Sequence, residues 1–152
     1  MAFSDKPAML TAVTTYLLSQ TAKVAKRDLD ARLSARGLRL RHMAVLTAVD
    51  EGPASQLEFS RRLDMDPSDM TATIDDLEAS RLVARRTDPA DRRRKLVTLT
   101  RPGRTELGRL DAIAREAAES LLAPVPASRR RQLHDDLRRV LEAHELRSRA
   151  QT

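Results

Sequence analysis

Apolar residues recur at helical spacing in four separate stretches of the chain. From Ala8 to Ala35 they stand three, four or seven positions apart, which predicts one long helix that ends before Gly37. A second periodic stretch predicts a helix from Leu40 to Asp50. A third runs from Thr100 to the break at Pro124, and a last helix is predicted around residues 133–144.

Two short helices joined by three residues are predicted in the middle of the chain. Ser55 and Glu58 form the S-x-x-E pattern of a capping box, so a short helix begins there. After the turn, Asp66 is the expected N-cap of a second helix, which has Pro67 at its first position. This arrangement predicts a helix-turn-helix, whose second helix can enter the major groove of DNA.

A β-hairpin is predicted directly after these two helices. Residues 82–87 and 95–100 are rich in β-forming side chains, and residues 88–94 between them form a turn-rich connector with a positive tip. A hairpin that follows a helix-turn-helix is a wing. The predicted fold class is therefore mainly α with a small β-hairpin wing: a winged helix-turn-helix with N- and C-terminal dimerisation helices.

The predicted boundaries are residues 1–36 for an N-terminal dimerisation helix, residues 37–103 for the winged domain and residues 104–152 for C-terminal dimerisation helices. Within the winged domain, the helix-turn-helix spans 55–80 and the wing 82–100; residues 1–6 and 147–152 are expected to be frayed tails. The terminal helices have more apolar surface than a small winged domain can cover, which favours a two-fold dimer. The residues expected at its interface are Leu10, Val13, Leu17, Leu121, Leu133, Leu137 and Leu141.

Composition excludes several classes of function. The 152 residues include 41% hydrophobic and 33% charged residues, which suits one globular domain, and no cysteine, which excludes disulfides, thiolate metal sites and a cysteine nucleophile. The three histidines share no ligand spacing, so we expect no metal and no cofactor. The chain has no catalytic motif, no signal peptide and no apolar run of membrane-spanning length. We expect a cytoplasmic protein that is not an enzyme and does not bind membranes.

The charges are unevenly placed along the chain. The net charge is +6, yet residues 81–104 contain nine basic and two acidic residues, whereas residues 50–80 contain two basic and nine acidic ones. A solvated surface normally mixes its charges, so this separation indicates a functional surface, and the positive tip of the wing suits a nucleic acid.

One stretch carries a family resemblance. Residues 77–85, the pattern D-P-x-D-x-R at residues 88–93 and the pattern L-T-x-x-G at residues 99–103 resemble the MarR family of winged helix-turn-helix regulators, and the resemblance covers nearly the whole chain. It implies that Asp91 braces Arg93, that Arg93 enters the minor groove, and that Arg92, Arg94 and Lys95 lie near phosphates. The family usually has glycine where Arg81 stands, so the turn into the first wing strand is expected to be shaped differently, because Arg81 lacks glycine's freedom at positive φ.

The second helix of the pair, residues 67–80, has an exposed face without Arg or Lys. We expect Ser68, Thr71 and Thr73 to face DNA and Asp75 to be a structural acid that pairs with Arg61, Arg62 or Arg86. The family often has arginine where Ala72 stands, so base readout is expected to be weaker or differently directed. The predicted DNA-contacting set is Ser55, Arg61, Arg62, Ser68, Asp69, Thr71, Ala72, Thr73, Arg86, Arg92, Arg93, Arg94 and Lys95, with Asp91 as the brace of the wing.

The resemblance also implies a ligand crevice between the dimerisation helices and the winged domain. Tyr16, Arg41, His42 and Met43 are its candidates, although Tyr16 and Met43 fit the core and Arg41 a solvated or phosphate-facing position equally well. We interpret the chain as a homodimeric, sequence-specific DNA-binding regulator: a repressor that binds a pseudo-palindromic duplex and is relieved by a small aromatic or anionic effector. The alternative, favoured by the acidic helix, is a winged-helix module for protein interaction or ligand binding that does not bind an operator.

Overall fold

The computed structural model describes the backbone of residues 5–150 and the side chains of residues 5–147. The elements are α1 (Ala8–Thr11), α2 (Thr14–Ser34), α3 (Leu40–Glu51), α4 (Gln56–Arg62), α5 (Pro67–Ala79), β1 (Val83–Thr87), β2 (Lys95–Leu99), α6 (Arg101–Leu121) and α7 (Ala127–Ala150). The winged helix-turn-helix predicted from the sequence is confirmed. The tails expected at residues 1–4 and 151–152 lie outside the described residues, and α7 continues to Ala150, past the predicted start of the C-terminal tail.

The prediction of one unbroken N-terminal helix is wrong. Helix α1 ends at Thr11, and Val13 has an extended backbone (φ −93°, ψ 114°) and forms the N-cap of α2. Three β-branched residues follow one another at positions 13–15, and such residues lose side-chain freedom in a helix. The Thr11 hydroxyl donates to the carbonyl of Ala8, which supports a stop at this point.

Tertiary contacts divide the chain into one compact unit that ends at Ala117 and a second that begins at Ala118. The first unit has a continuous apolar core drawn from α2 to α6 and the hairpin. Its fully buried residues include Leu33, Val45, Leu46, Phe59, Met70, Ile74, Leu77, Val83, Val97 and Leu110. In the second unit, α7 leaves Leu137, Val140, Leu141 and Leu146 exposed.

Both caps predicted for the helix-turn-helix are present. The Ser55 hydroxyl accepts from the Glu58 amide, and the Glu58 carboxylate accepts from the Ser55 amide at 2.7 Å. Asp66 accepts from the amide of Ser68 at 2.7 Å and begins α5, with Pro67 as the first helical residue. The turn between the two helices passes through Asp64 with a left-handed φ of 47°.

The prediction that Thr73 faces DNA is wrong, because Thr73 is fully buried. It shares the inner face of α5 with its neighbour Ile74 and with Met70 and Leu77, which lie three positions before and four positions after it. Its hydroxyl donates to the carbonyl of Asp69 at 2.7 Å, which satisfies the polar group and allows its burial.

The wing is a two-stranded antiparallel hairpin that pairs Val83 with Leu99 and Thr87 with Lys95. The loop before α4 adds an isolated bridge, in which the Val97 amide donates to the carbonyl of Ala54 at 2.9 Å. The hairpin is therefore bonded to the chain segment that begins the helix-turn-helix.

Arg81 makes the turn from α5 into β1 with a left-handed φ of 59°, a conformation that favours glycine. The turn ends the helix in the usual way for a left-handed residue, since the Arg81 amide donates to Glu78 and the Leu82 amide to Leu77, both at 2.9 Å. An L-residue other than glycine loses about 1–2 kcal/mol in this conformation.

The L-T-x-x-G pattern has a packing explanation. The Thr100 hydroxyl lies 2.7 Å from the carbonyl oxygen of Arg81 and 2.9 Å from that of Leu82, and it accepts from the amide of Gly103. A Cβ on Gly103 would lie 1.9 Å from the Leu82 carbonyl oxygen. Only glycine lets the first turn of α6 approach the start of the wing so closely.

Replacing Gly103 with alanine is therefore expected to lower the free energy of unfolding by about 1–3 kcal/mol, because backbone atoms must move apart. Gly108 is the matched control, since it lies in the same helix and a Cβ there meets nothing within 4 Å. Gly108→Ala should raise stability by about 0.8–1 kcal/mol through helix propensity alone. Chemical denaturation measures both; equal effects of the two substitutions would contradict the packing explanation.

Candidate nucleic-acid interface

The tip of the wing is held by hydrogen bonds within residues 88–94. Asp91 accepts from the backbone amide of Arg93 at 2.9 Å, and Asp88 accepts from the amide of Ala90 at 2.8 Å. The amide of Arg94 closes the turn by donating to the carbonyl of Asp91. The brace proposed for Asp91 thus acts on the backbone of Arg93, and the Arg93 guanidinium extends from a defined turn.

The basic residues predicted to contact DNA fall into two groups. Four have exposed side chains and no acidic partner among the described residues: Arg61, Arg86, Arg92 and Arg93. Three are bonded within the fold. Arg62 pairs with Glu51, Arg94 pairs with Glu58, and the Lys95 ammonium donates to the Thr87 hydroxyl at 2.7 Å. The first group offers free positive charge at the wing and beside α4.

The bond between Arg94 and Glu58 connects the wing to the first turn of α4. Glu58 accepts from the backbone amide and the hydroxyl of Ser55 and from the Arg94 guanidinium, and these bonds lower its pKa to about 2. Ser55 is therefore engaged in the cap of α4. The Arg94 guanidinium lies between Glu58 and Asp88, whose carboxylate is 3.8 Å away.

The hydroxyl groups on the exposed face of α5 are bonded locally. The Ser68 hydroxyl donates to Asp66 at 2.5 Å, and the Thr71 hydroxyl donates to the carbonyl of Pro67 at 2.9 Å. Thr71 also accepts from the side-chain amide of Gln56 on α4 at 3.1 Å. Ala72 and Asp69 are exposed on the same helix.

The acids in the second half of α5 are paired with basic groups from other elements. Asp75 lies 2.5 Å from the guanidinium of Arg85, and Glu78 contacts the same guanidinium. Asp76 lies 3.6 Å from Arg41. Asp75 is thus a paired acid, but the prediction that its partner is Arg61, Arg62 or Arg86 is wrong. The turn at Arg81 brings β1 back alongside α5, which places Arg85 next to Asp75.

Sequence reasoning missed Arg85, which joins α4, α5 and β1. Its Nε donates to the Gln56 side-chain oxygen at 2.7 Å, its backbone amide donates to Glu78 at 2.9 Å, and its side chain is only 23% exposed. Burial opposes the charged form, but the bonds to Asp75 and Glu78 outweigh it and raise the pKa of Arg85. Strand alternation offered a signal, since neighbouring Arg85 and Arg86 must point to opposite faces.

The four predicted ligand residues do not form one site. Arg41 lines a cavity of about 590 Å³ between α2 and α3, and its Nε atom is buried without a hydrogen-bond partner among the described residues. Tyr16 stands ten positions, or about 15 Å of helix, from Lys26 of the same cavity. Met43 packs against the core. The cavity is lined by Lys26, Asp30, Ser34, Arg39, Leu40, Arg41 and Ala44.

His42 is buried and has a structural role. Its Nδ1 accepts from the backbone amide of Arg39 at 2.9 Å, and its Nε2 lies 3.3 Å from Asp76. Burial lowers the pKa of His42, although the contact with Asp76 opposes that change. The neutral ring therefore caps α3 and orients Asp76, and His42 is not among the residues that line the cavity beside Arg41.

In the part of the chain that the structure describes, no helix is long and apolar enough to cross a membrane. The described residues also contain no group of three or more His, Cys, Asp or Glu side chains that could hold a metal ion.

Comparison with known proteins places this geometry in one family. Residues 36–94 match the model of the MarR family. The HTH-type transcriptional repressor Rv2887 of Mycobacterium tuberculosis is 30% identical over 128 residues, which cover 84% of this chain and 89% of the relative.

Two solved structures show the same fold. The complex of Rv2887 with DNA has a TM-score of 0.73 and 28% identity, and the match covers 84% of this chain and 97% of that one. CouR of Rhodococcus jostii RHA1, solved with p-coumaroyl-CoA, has a TM-score of 0.73 and 28% identity over 88% of this chain and 95% of its own. The chain with the braced wing and the arginine-paired helix α5 belongs to the MarR family of transcriptional regulators.

Proposed function

We propose that the protein is a homodimeric repressor, active in the cytoplasm and without enzymatic activity, that binds a pseudo-palindromic DNA site and releases it when a small anionic or aromatic ligand binds. The observation that carries the proposal is the wing: Arg92 and Arg93 are exposed, and no acid among the described residues pairs with them. The solved complex of the relative Rv2887 with DNA supports it.

In the proposed complex, α5 lies in the major groove and the wing reaches the neighbouring minor groove. A narrow minor groove concentrates negative potential, and the planar guanidinium of Arg93 is weakly hydrated, so it enters at low cost. Arg61 on α4 and Arg86 on β1 are exposed and suit phosphates. Two copies of the chain would place two α5 helices about one helical turn of DNA apart.

Exposed apolar side chains support the dimer. Leu10 on α1 and Val13 between α1 and α2 are 42% and 45% exposed, and Leu17 on α2 is exposed as well. On α7, Leu137 and Leu141 are exposed, whereas Leu121 and Leu133 are half-buried. Apolar helix faces of this kind become stable when a second copy covers them.

The cavity beside Arg41 is the proposed effector site. It is lined by three cationic side chains, those of Lys26, Arg39 and Arg41. It is also lined by one acid, Asp30, which accepts a hydrogen bond from Lys26 at 2.6 Å. The unpartnered Nε of Arg41 is a donor that a carboxylate could satisfy. CouR, solved with p-coumaroyl-CoA, provides a family precedent for an aromatic ligand.

Binding to DNA is tested by fluorescence anisotropy on the duplex upstream of the protein's own gene, with a scrambled duplex beside it and at two salt concentrations. Arg93→Ala should weaken specific binding at least about tenfold, because a minor-groove contact is lost. Arg115→Ala is the matched control: it removes an exposed arginine from α6, where Arg115 pairs with Asp111. That control should bind like the unchanged protein.

Weak binding to both duplexes would be followed by selection from random sequences. A protein that selects no sequence, dimerises and still binds a protein partner would contradict the repressor and favour the interaction module.

Effector binding is tested by the melting temperature of the protein in the presence of p-coumarate and salicylate. At least one should raise the melting temperature, since a ligand that binds only the folded state stabilises it. Arg41→Ala should lower the affinity for that ligand about tenfold or more, because a charge-assisted hydrogen bond is lost. Arg27→Ala, an exposed arginine on α2 outside the cavity, should have no effect. A shift that survives Arg41→Ala unchanged would contradict this site.

A further inference from the structure

The first half of helix α5 offers DNA no side-chain hydrogen-bond donor. The hydroxyl protons of Ser68 and Thr71 are donated to Asp66 and to the carbonyl of Pro67, at 2.5 and 2.9 Å. Ala72 has no polar atom, and Pro67 has no amide hydrogen. The first half of α5 therefore presents hydrogen-bond acceptors and methyl groups to a base edge.

Among the carboxylates of α5, Asp69 differs from the rest. Asp75 and Glu78 pair with Arg85, and Asp76 contacts Arg41 and His42. The Asp69 side chain is exposed and makes no hydrogen bond or ion pair with any described residue. Three of the four acids of α5 are thus paired with basic side chains, and one acceptor is left free.

The position of Asp69 suits direct contact with bases. It is the third residue of α5, and recognition helices contact base edges with their N-terminal residues. The positive end of the helix dipole stabilises a carboxylate in this turn. Ala72, one turn later, is small and exposed, so it leaves the carboxylate room to approach a base pair.

The chemistry of the base edges then decides what a free carboxylate can read. Guanine presents only the acceptors N7 and O6 in the major groove, and thymine presents the acceptor O4, so both repel it. Adenine has the N6 amino donor, but the acceptor N7 stands beside it. Cytosine presents the N4 amino donor alone.

We propose that Asp69 is the specificity-determining residue of α5 and accepts a hydrogen bond from the N4 amino group of a cytosine in each half-site. This inference rests on the proposed function, in which α5 enters the major groove. It explains how a recognition helix without arginine or lysine discriminates between sequences: the helix selects cytosine through one acceptor, while the wing supplies affinity.

The test starts from the sequence that the unchanged protein selects from a random library. Each cytosine of the half-site is replaced in turn, symmetrically, by thymine, adenine or guanine, and dissociation constants are measured by anisotropy. At one of these positions, replacement of the cytosine should weaken binding of the duplex by the unchanged protein at least about tenfold. For Asp69→Ala, the loss of affinity on replacing that cytosine should fall below about threefold, while the losses at the other positions remain. Asp69→Asn should shift the base preference at that position towards adenine.

Asp64→Asn is the charge-matched control. Asp64 is an exposed acid in the turn before α5, and its left-handed φ of 47° is one that asparagine tolerates. Both asparagine variants remove one negative charge near DNA, and this charge effect by itself favours binding to every duplex equally. Only the Asp69 variants should change the ratios between duplexes, and melting curves establish that each variant is folded.

The two ways of failing are distinguishable. If the library yields no preferred sequence, the proposed function is overturned, and this inference with it. If a sequence is selected and Asp69→Ala keeps the same penalty at every position, only the role of Asp69 is overturned.

Discussion

The carboxylates of an acidic helix repel the phosphates of DNA, and their pairing with basic side chains is the constraint that governs the interface of the protein. Helix α5 carries four acids and no basic residue. Two unit charges 4 Å apart interact by about 1 kcal/mol even in water, so repulsion from phosphates would accumulate quickly. Arg85 from β1 pairs with both Asp75 and Glu78 and so compensates one of their two charges, and Arg41 from α3 lies beside Asp76. The compensation comes from β1 and α3, and it leaves Arg92 and Arg93 at the tip of the wing free.

The same contacts hold the wing against the helix. Arg85 reaches Gln56 of α4, and Arg94 at the base of the wing tip reaches Glu58 of α4. At the other end of the hairpin, Thr100 bonds to the carbonyls on both sides of the left-handed turn, and Gly103 lets α6 approach it. The wing is therefore bonded to the rest of the domain near both ends of the hairpin, and these bonds position the turn that carries Arg92 and Arg93.

Local chemistry made much of this structure predictable. The capping residues Ser55 and Asp66, the proline at the start of α5 and the alternating hairpin strands each encode their own element, and the structure has those elements at the predicted places. Where prediction failed, the deciding contacts were tertiary or a pattern was read incompletely. The burial of Thr73 follows from its place on the buried stripe of α5. Its polar hydroxyl suggested that it is exposed, but the hydroxyl is satisfied by the backbone carbonyl of Asp69 and can therefore be buried.

The partners of the charged residues were the least predictable part of the site. Asp75 pairs with Arg85 because of the direction in which the chain leaves the turn at Arg81, which no local pattern specifies. Neighbouring Arg41 and His42 likewise have different roles: one lines a cavity and the other is buried as a cap.

The most direct test of charge compensation is a rescue experiment on Arg85. Arg85→Met should weaken operator binding at least about tenfold, because two carboxylates of α5 are then unpaired near phosphates. Adding Asp75→Asn and Glu78→Gln, which keep the shapes and remove the charges, should restore the affinity to within about threefold of the original. If the triple variant binds as weakly as Arg85→Met while both remain folded, compensation is not what Arg85 contributes, and the account of the interface is wrong.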